Sequence, residues 1–255
     1  MIQKESEKFS PSTVFEGMTS ISALLQENET NPRRIERVWV AEEKRKAKAR
    51  EIAFLQAKAR ERGFTVEFVP MQEIESMAIG KSHGGIIAFC TDRPLPSLTS
   101  SAIAEKGFYL YLEGVEDPYN FGYAIRSLYL AGVDGVILPE RNWMSAAGVV
   151  ARASAGTSER MPLFTAEPEE AVRLFRERGY RILCAGIRDS VSLFDGSFPY
   201  PILLVIGGEK RGISRTLLEL ADDVVRIDYG RDFRGSLSAA SAAAVMAFEI
   251  MRQNR

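Results

Sequence analysis

From residue 107 onward the chain alternates between two hydrophobic periods, and few architectures tolerate that. Runs with strand character lie at 107–113, 133–138, 160–164, 180–186, 202–206 and 223–227, separated by helical patterns near 119–131, 145–154, 167–178, 214–221 and 237–253. Strands joined by helices pair in parallel, because a helix-length crossover returns the chain to the same end of the sheet. Helices then cover both faces, and the place for a ligand is the crevice at the carboxyl ends of the strands.

A smaller α/β unit precedes this. A leading helix at "MTSISALLQ", a strand at 35–41 and a polar helix at 43–62 stopped by Gly63 come first. The strand "FTVEFV", a short helix "MQEIESMA" and the strand "GGIIAFC" complete an αβαβαβ unit. Two prolines and a cluster of Ser and Thr in "TDRPLPSLTSSAIAEKG" mark a boundary near 91–105. The expected division is 1–97 and 98–255.

Composition removes several function classes. Two cysteines, Cys90 and Cys184, cannot build a disulfide framework or a cysteine zinc site, and they suit a reducing cytoplasm. A single histidine, His83, leaves little room for metal binding or a Ser-His-Asp relay, so no metal is expected, and His83 is read as structural or RNA-facing. The start "MIQKESEKFSPS" has no apolar run, and no stretch approaches the ~18 apolar residues of a membrane span. The expected location is the cytoplasm, with no membrane partner.

Net charge is −1, but its distribution is uneven. Between Asn31 and Arg62 stand eleven basic residues against five acidic ones, the basic set running from Arg33, Arg34 and Arg37 through Lys44, Arg45 and Lys46 to Arg62. Such an excess suits a surface that tracks phosphates. A solvated helix face is the other reading of the same run.

The usual nucleotide loops are absent: no G-x-G-x-x-G follows a strand, and no G-x-x-x-x-G-K-[ST] occurs. Three other segments stand out. In "DPYNFGYAIRSLYLAGVDGVIL" (117–138) a helix opens on loop chemistry and keeps one cation, Arg126, at the rim of its apolar face. In "LLVIGGEKRGIS" (203–214) a buried strand runs into Gly207 and Gly208, which permit close backbone approach to a ligand, with Glu209 at the mouth. In "RIDYGRDFRGSLSAASAAAVMAFE" (226–249) a charged, glycine-containing loop meets a helix of small residues suited to close packing.

In this order, the three segments resemble the motifs of the SpoU/TrmH family of RNA ribose 2′-O-methyltransferases, within the SPOUT superfamily. The first unit is similar to the ribosomal-protein-like substrate-binding domain often fused ahead of it, through "RRIERVWVAEEKRKAKAREIAFLQAKARERGFTVEFVPMQEIESMA" and "SHGGIIAF". The resemblance implies an α/β fold with a carboxyl-terminal trefoil-knot domain on a mostly parallel sheet, S-adenosylmethionine as cofactor, and a homodimer. It implies methyl transfer to a ribose 2′-hydroxyl in RNA, ribosomal RNA ahead of transfer RNA. By motif position it assigns Asn120, Arg126, Glu209 and Ser236 to catalysis, and Ile206, Gly207, Gly208, Ile227, Leu237 and Ser238 to the cofactor. A guanidinium is a poor base, so the role read for Arg126 is a bidentate clamp on the phosphate beside the reacting ribose.

Two departures stand in the third motif. Where the family has Ser-Leu-Asn-Val-Ser, this chain has Ser236-Leu237-Ser238-Ala239-Ala240, and Asp228-Tyr229 stand where Pro-Met is usual, in a loop one residue longer. Serine has a shorter reach than an amide. The change prompts a competing reading, a catalytically weak RNA-binding or ribosome-assembly factor that keeps the fold.

Overall fold

The computed structural model describes residues 13–26, 31–81, 83–139 and 146–255. The amino-terminal "MIQKESEKFSPS" and position 145, the expected start of a helix, lie outside the described residues. The chain forms two compact units, and the second is not continuous in sequence. One unit holds the chain up to Pro94 together with the described part of 143–160; the other holds Leu95–Asn142 and Met161–Arg255.

In the first unit the elements are β1 (Val14–Glu16), α1 (Gly17–Leu24), β2 (Ile35–Ala41), α2 (Ala49–Arg62), β3 (Thr65–Val69), α3 (Met71–Met77) and β4 (Ile86–Cys90). The sheet order is β1-β4-β2-β3. Strands β2 and β3 are parallel, while β4 runs antiparallel to both β1 and β2. At three residues, β1 is too short for a period to announce it. The helix expected at 43–62 begins only at Ala49, after a 3-10 turn at Glu42–Lys44. It stops at Gly63, whose φ of 78° is left-handed and whose N–H closes on the carbonyl of Ala59.

Helix α5 (Ala147–Ala153) belongs to this unit although it comes from far along the chain. Ala147 and Ala151 join Phe15, Ile21, Val38 and Leu55 in the core. Gly148 lies so close to β1 that a Cβ would overlap the Val14 carbonyl. Buried charge then ties the segment down. Glu159 accepts from Arg33 Nε at 3.1 Å and from Asn31 Nδ2 at 2.6 Å, while Arg33 also donates to the Thr91 carbonyl at 2.8 Å. Arg93 donates to the Ser158 carbonyl at 2.7 Å, and Arg152 pairs with Glu16 at 2.8 Å.

The second unit carries β5 (Phe108–Glu113), α4 (Pro118–Leu130), β6 (Gly135–Leu138), β7 (Leu163–Thr165), α6 (Pro168–Glu177), β8 (Arg181–Ala185), β9 (Val191–Ser192), β10 (Ile202–Gly207), α7 (Arg215–Glu219), β11 (Asp223–Arg226) and α8 (Ala239–Gln253). Its seven strands, in the order β7-β6-β5-β10-β8-β11-β9, are all paired in parallel. One face packs Tyr109, Tyr111, Leu203 and Val205 against Val172 and Phe175 of α6. Residues of the other parity, Phe108, Leu110 and Leu204, are equally buried, and α8 packs on β10 and α4. Burial of both parities is why these strands read as continuous apolar runs. Strand β10 inserts between β5 and β8, so the order reverses there and a crevice opens at the ends of those strands.

Candidate active site

Three strand ends frame the crevice: Glu113 of β5, Gly207 of β10 and Ala185 of β8. Past β10 the chain makes a tight turn in which Gly212 N donates to Gly208 O at 2.9 Å and Gly212 takes φ 66°. The sequence reading has Gly207 and Gly208 admit a ligand's approach. The two glycines also admit the protein's own backbone. A Cβ on Gly207 would overlap Gly212 and Ile213, and one on Gly208 would overlap Gly114. The bare backbone lets three chain segments cross within one crevice.

Helix caps fix the functional side chains. Asp117 Oδ1 accepts from Asn120 N at 2.8 Å, and Pro118 opens α4, where a missing N–H costs nothing. Because Asp117 caps, the Asn120 side chain is released to donate to Glu209 Oε1 at 2.9 Å. Ser214 caps α7 by accepting from Leu217 N at 3.4 Å, while its own N–H donates to Glu113 Oε2 at 2.7 Å. Ser238 caps α8, accepting from Ser241 N at 3.2 Å.

Two cavities meet at Glu209 and Ala239. The first, of about 350 Å³, is walled by Ile206, Gly207 and Gly208, by Val225, Arg226 and Ile227, and by Ser236, Leu237 and Met246. The segment Ala185–Arg188 beyond β8 completes it. The second, of about 450 Å³, is lined by residues 114–118, Asn120, Glu209 and Lys210. Of the assigned cofactor residues, five of six border the first cavity; Ser238 does not line it and instead fixes the start of α8 beside Leu237. Of the catalytic set, Asn120 and Glu209 touch and Ser236 borders the first cavity. Arg126 lines neither cavity and is exposed on α4, without a hydrogen bond or ion pair among the described residues. The carboxylates Glu113 and Glu209 at the crevice are engaged by Ser214 and Asn120.

The sequence reading did not assign Ala185–Arg188, Tyr229 or Met246 to the site. The ends of parallel strands line such crevices, so "CAGIRDS" after β8 carried a usable signal; Met246, in mid-helix, carried none. Cys184 is buried and donates to the Leu217 carbonyl at 3.5 Å, and burial pushes its thiol up to about 12, so it offers no thiolate. His83 is buried, its Nδ1 accepting from Gly85 N at 3.1 Å, which is a structural role. Among the described residues no group of His, Cys, Asp and Glu gathers as a metal site would require, and no helix is long and apolar enough to cross a membrane.

The first cavity has apolar walls, backbone-rich glycine edges and a few polar groups at its mouth. That combination suits a small molecule with a flat aromatic ring, polar at its edge, and a charged tail, which S-adenosylmethionine has.

Comparisons with known proteins follow the same division. Residues 107–248 match the SpoU rRNA Methylase family, and residues 14–96 match the family described as RNA 2′-O ribose methyltransferase substrate binding. The chain is 28% identical over 229 residues to a protein of Bacillus subtilis named putative TrmH family tRNA/rRNA methyltransferase YacO, covering 87% of this chain and 89% of that one. It is 27% identical over 246 residues to the 23S rRNA (guanosine-2′-O-)-methyltransferase RlmB of Shewanella oneidensis, covering 94% and 96%. The crystal structure of an AdoMet-bound rRNA methyltransferase from Sinorhizobium meliloti shares the fold, with a TM-score of 0.75 at 24% identity over 94% of this chain and 87% of that one.

Proposed function

The chain belongs to the SpoU rRNA methylase family, and we propose that it methylates a ribose 2′-hydroxyl in RNA, ribosomal RNA ahead of transfer RNA. The observation that carries this reading is the Asn120–Glu209 hydrogen bond, which joins two motifs at the rim shared by the two cavities. The named relatives that span nearly the whole chain act on RNA by their names, and the RlmB name specifies 23S rRNA.

Ile206, Gly207, Gly208, Ile227 and Leu237 hold the cofactor through backbone groups and apolar walls. When bound, S-adenosylmethionine supplies an electrophilic methyl group on a sulfonium. The chain's own residues then have to orient the hydroxyl and let its proton leave. Glu209, steadied by the Asn120 amide, accepts a hydrogen bond from the ribose hydroxyl and draws its proton as the new bond forms. Ser236 positions the sugar from the opposite rim. Arg126 grips the neighbouring phosphate bidentately, which turns a loose encounter into an aligned one.

Residues 1–97 grip the RNA, and residues 98–255, apart from the segment with α5 that packs in the first unit, carry out the transfer. The working form is a homodimer in the cytoplasm. Its support is an exposed apolar face on the packed pair of helices: Tyr123 and Leu130 on α4 are 51% and 62% exposed, and Phe248 on α8 is 42% exposed. Arg126 sits in that α4 stripe, so a cleft beside the subunit contact is where it acts. Titration calorimetry should show S-adenosylmethionine binding to the full-length protein, and mapping of ribose methylation should show a mark that depends on the protein. A protein that binds no cofactor, under conditions where a control methyltransferase does, sinks the proposal.

A further inference from the structure

The loop between β11 and α8 carries chemistry that the methyl-transfer reading leaves unused. Residues 228–237 are exposed throughout, and Phe233 is 66% exposed. Yet the loop is built. The Tyr229 hydroxyl accepts from Leu237 N at 3.1 Å and closes its base. The Phe233 ring is held close against Gly235, where a Cβ would overlap its Cε1 and Cζ. The ring is therefore braced by the Gly235 backbone while most of it meets water. On either side stand Arg231 and Arg234, which have no hydrogen bond or ion pair among the described residues. The one acid between them, Asp232, does not engage them either. A cavity of about 420 Å³ opens here, lined by Tyr229, Gly230, Arg231, Phe233, Ser236 and Leu237. Three of those residues, Tyr229, Ser236 and Leu237, also border the first cavity.

A braced, exposed aromatic ring flanked in sequence by two unpartnered arginines matches single-stranded nucleic acid. Bases stack on such a face whatever their identity, and the cations take the flanking phosphates. The α4–α8 face differs: it is apolar with a single cation, which suits protein. Resting on the RNA reading above, we propose that Phe233 is a stacking platform for a base of the substrate RNA next to the modified ribose, with Arg231 and Arg234 on the phosphates around it.

The test uses the full-length protein with short single-stranded oligouridylate as probe, and with ribosomal RNA as methyl acceptor. Phe233→Ala should weaken oligouridylate binding and raise KM for RNA by roughly 5- to 100-fold, the range expected for one lost stack. S-adenosylmethionine affinity should stay unchanged. Phe233→Trp should restore binding, and its added fluorescence should be quenched by the oligonucleotide; Phe233→Leu, apolar but not aromatic, should not restore it. Arg231→Gln with Arg234→Gln should lower the log–log salt slope by about 1.4. Equal RNA binding by Phe233→Ala, a matching loss of cofactor affinity, or a changed oligomeric state in sedimentation would each overturn the platform. If the wild-type protein methylates no RNA, the parent reading fails, while the oligouridylate measurements still decide the platform.

Discussion

Cations of the basic run, residues 33–62, and three arginines of the second unit, Arg126, Arg231 and Arg234, are put to opposite uses. The run is the most charged part of the sequence, yet much of it is spent internally. Arg33 is 1% exposed and paired with Glu159; Lys48 and Lys58 pair with Glu51 and Glu61. The Arg37 guanidinium lies over Trp39 and Phe89, and that of Arg45 over Phe68. The second unit has fewer cations near its site, but Arg126, Arg231 and Arg234 are exposed without described partners. Density of charge along a chain therefore does not measure charge available to a ligand. Availability depends on who sits beside each group after folding.

The buried end of the contrast should break most dramatically. Arg33→Ala removes the ion pair at 3.1 Å from the buried Glu159 carboxylate, and Glu159→Gln removes it from Arg33; each should cost about 3–5 kcal/mol in urea unfolding. Replacing both with leucine should recover much of that loss, since it removes the uncompensated charge. A loss below ~1 kcal/mol for either single change would mean that Arg33 is as dispensable as a surface cation. The same pair bears on fragments. A piece ending at residue 97 lacks Glu159 and α5, and it forfeits this buried pair along with part of its core.

At the free end, Arg126→Ala should leave folding and S-adenosylmethionine affinity intact while methyl transfer falls by ~10²-fold or more. Tritiated methyl incorporation beside calorimetry reads both. Wild-type transfer by Arg126→Ala would place that arginine with the idle surface charges and remove its assigned role. The mildest effect should come from the exposed part of the basic run. Reversing Lys44, Arg45 and Lys46 to Glu should lower the salt slope of RNA binding by roughly 0.7–0.9 per lost phosphate contact. Lys48→Gln with Lys58→Gln, which removes cations already paired, should barely move it. An unchanged slope for the triple reversal would return the whole run to a solvated face.

Much of the architecture was legible in the chain. The strand expected at 107–113 is β5 at Phe108–Glu113, and the helix expected at 167–178 is α6 at Pro168–Glu177. Strands β1 and β9, of three and two residues, were not legible because so few positions cannot display a period. In the site, the cap at Asp117-Pro118 could be read from local chemistry. The Asn120–Glu209 bond could not, since it spans 89 residues. Its residues came from motif resemblance, which supplied identities without partners.

The sequence by itself determined which segments become strands and helices, which faces they bury, and which family the chain resembles, because backbone periodicity and capping are written within a few neighbouring residues. The tertiary structure alone set the close approach of Gly208 to Gly114. It also decided that α5 packs with the amino-terminal unit and that Arg33 lies in a core while Arg126 faces water. Each of these is a contact between residues distant in sequence, and a chain of identical local pattern could close such contacts in more than one way.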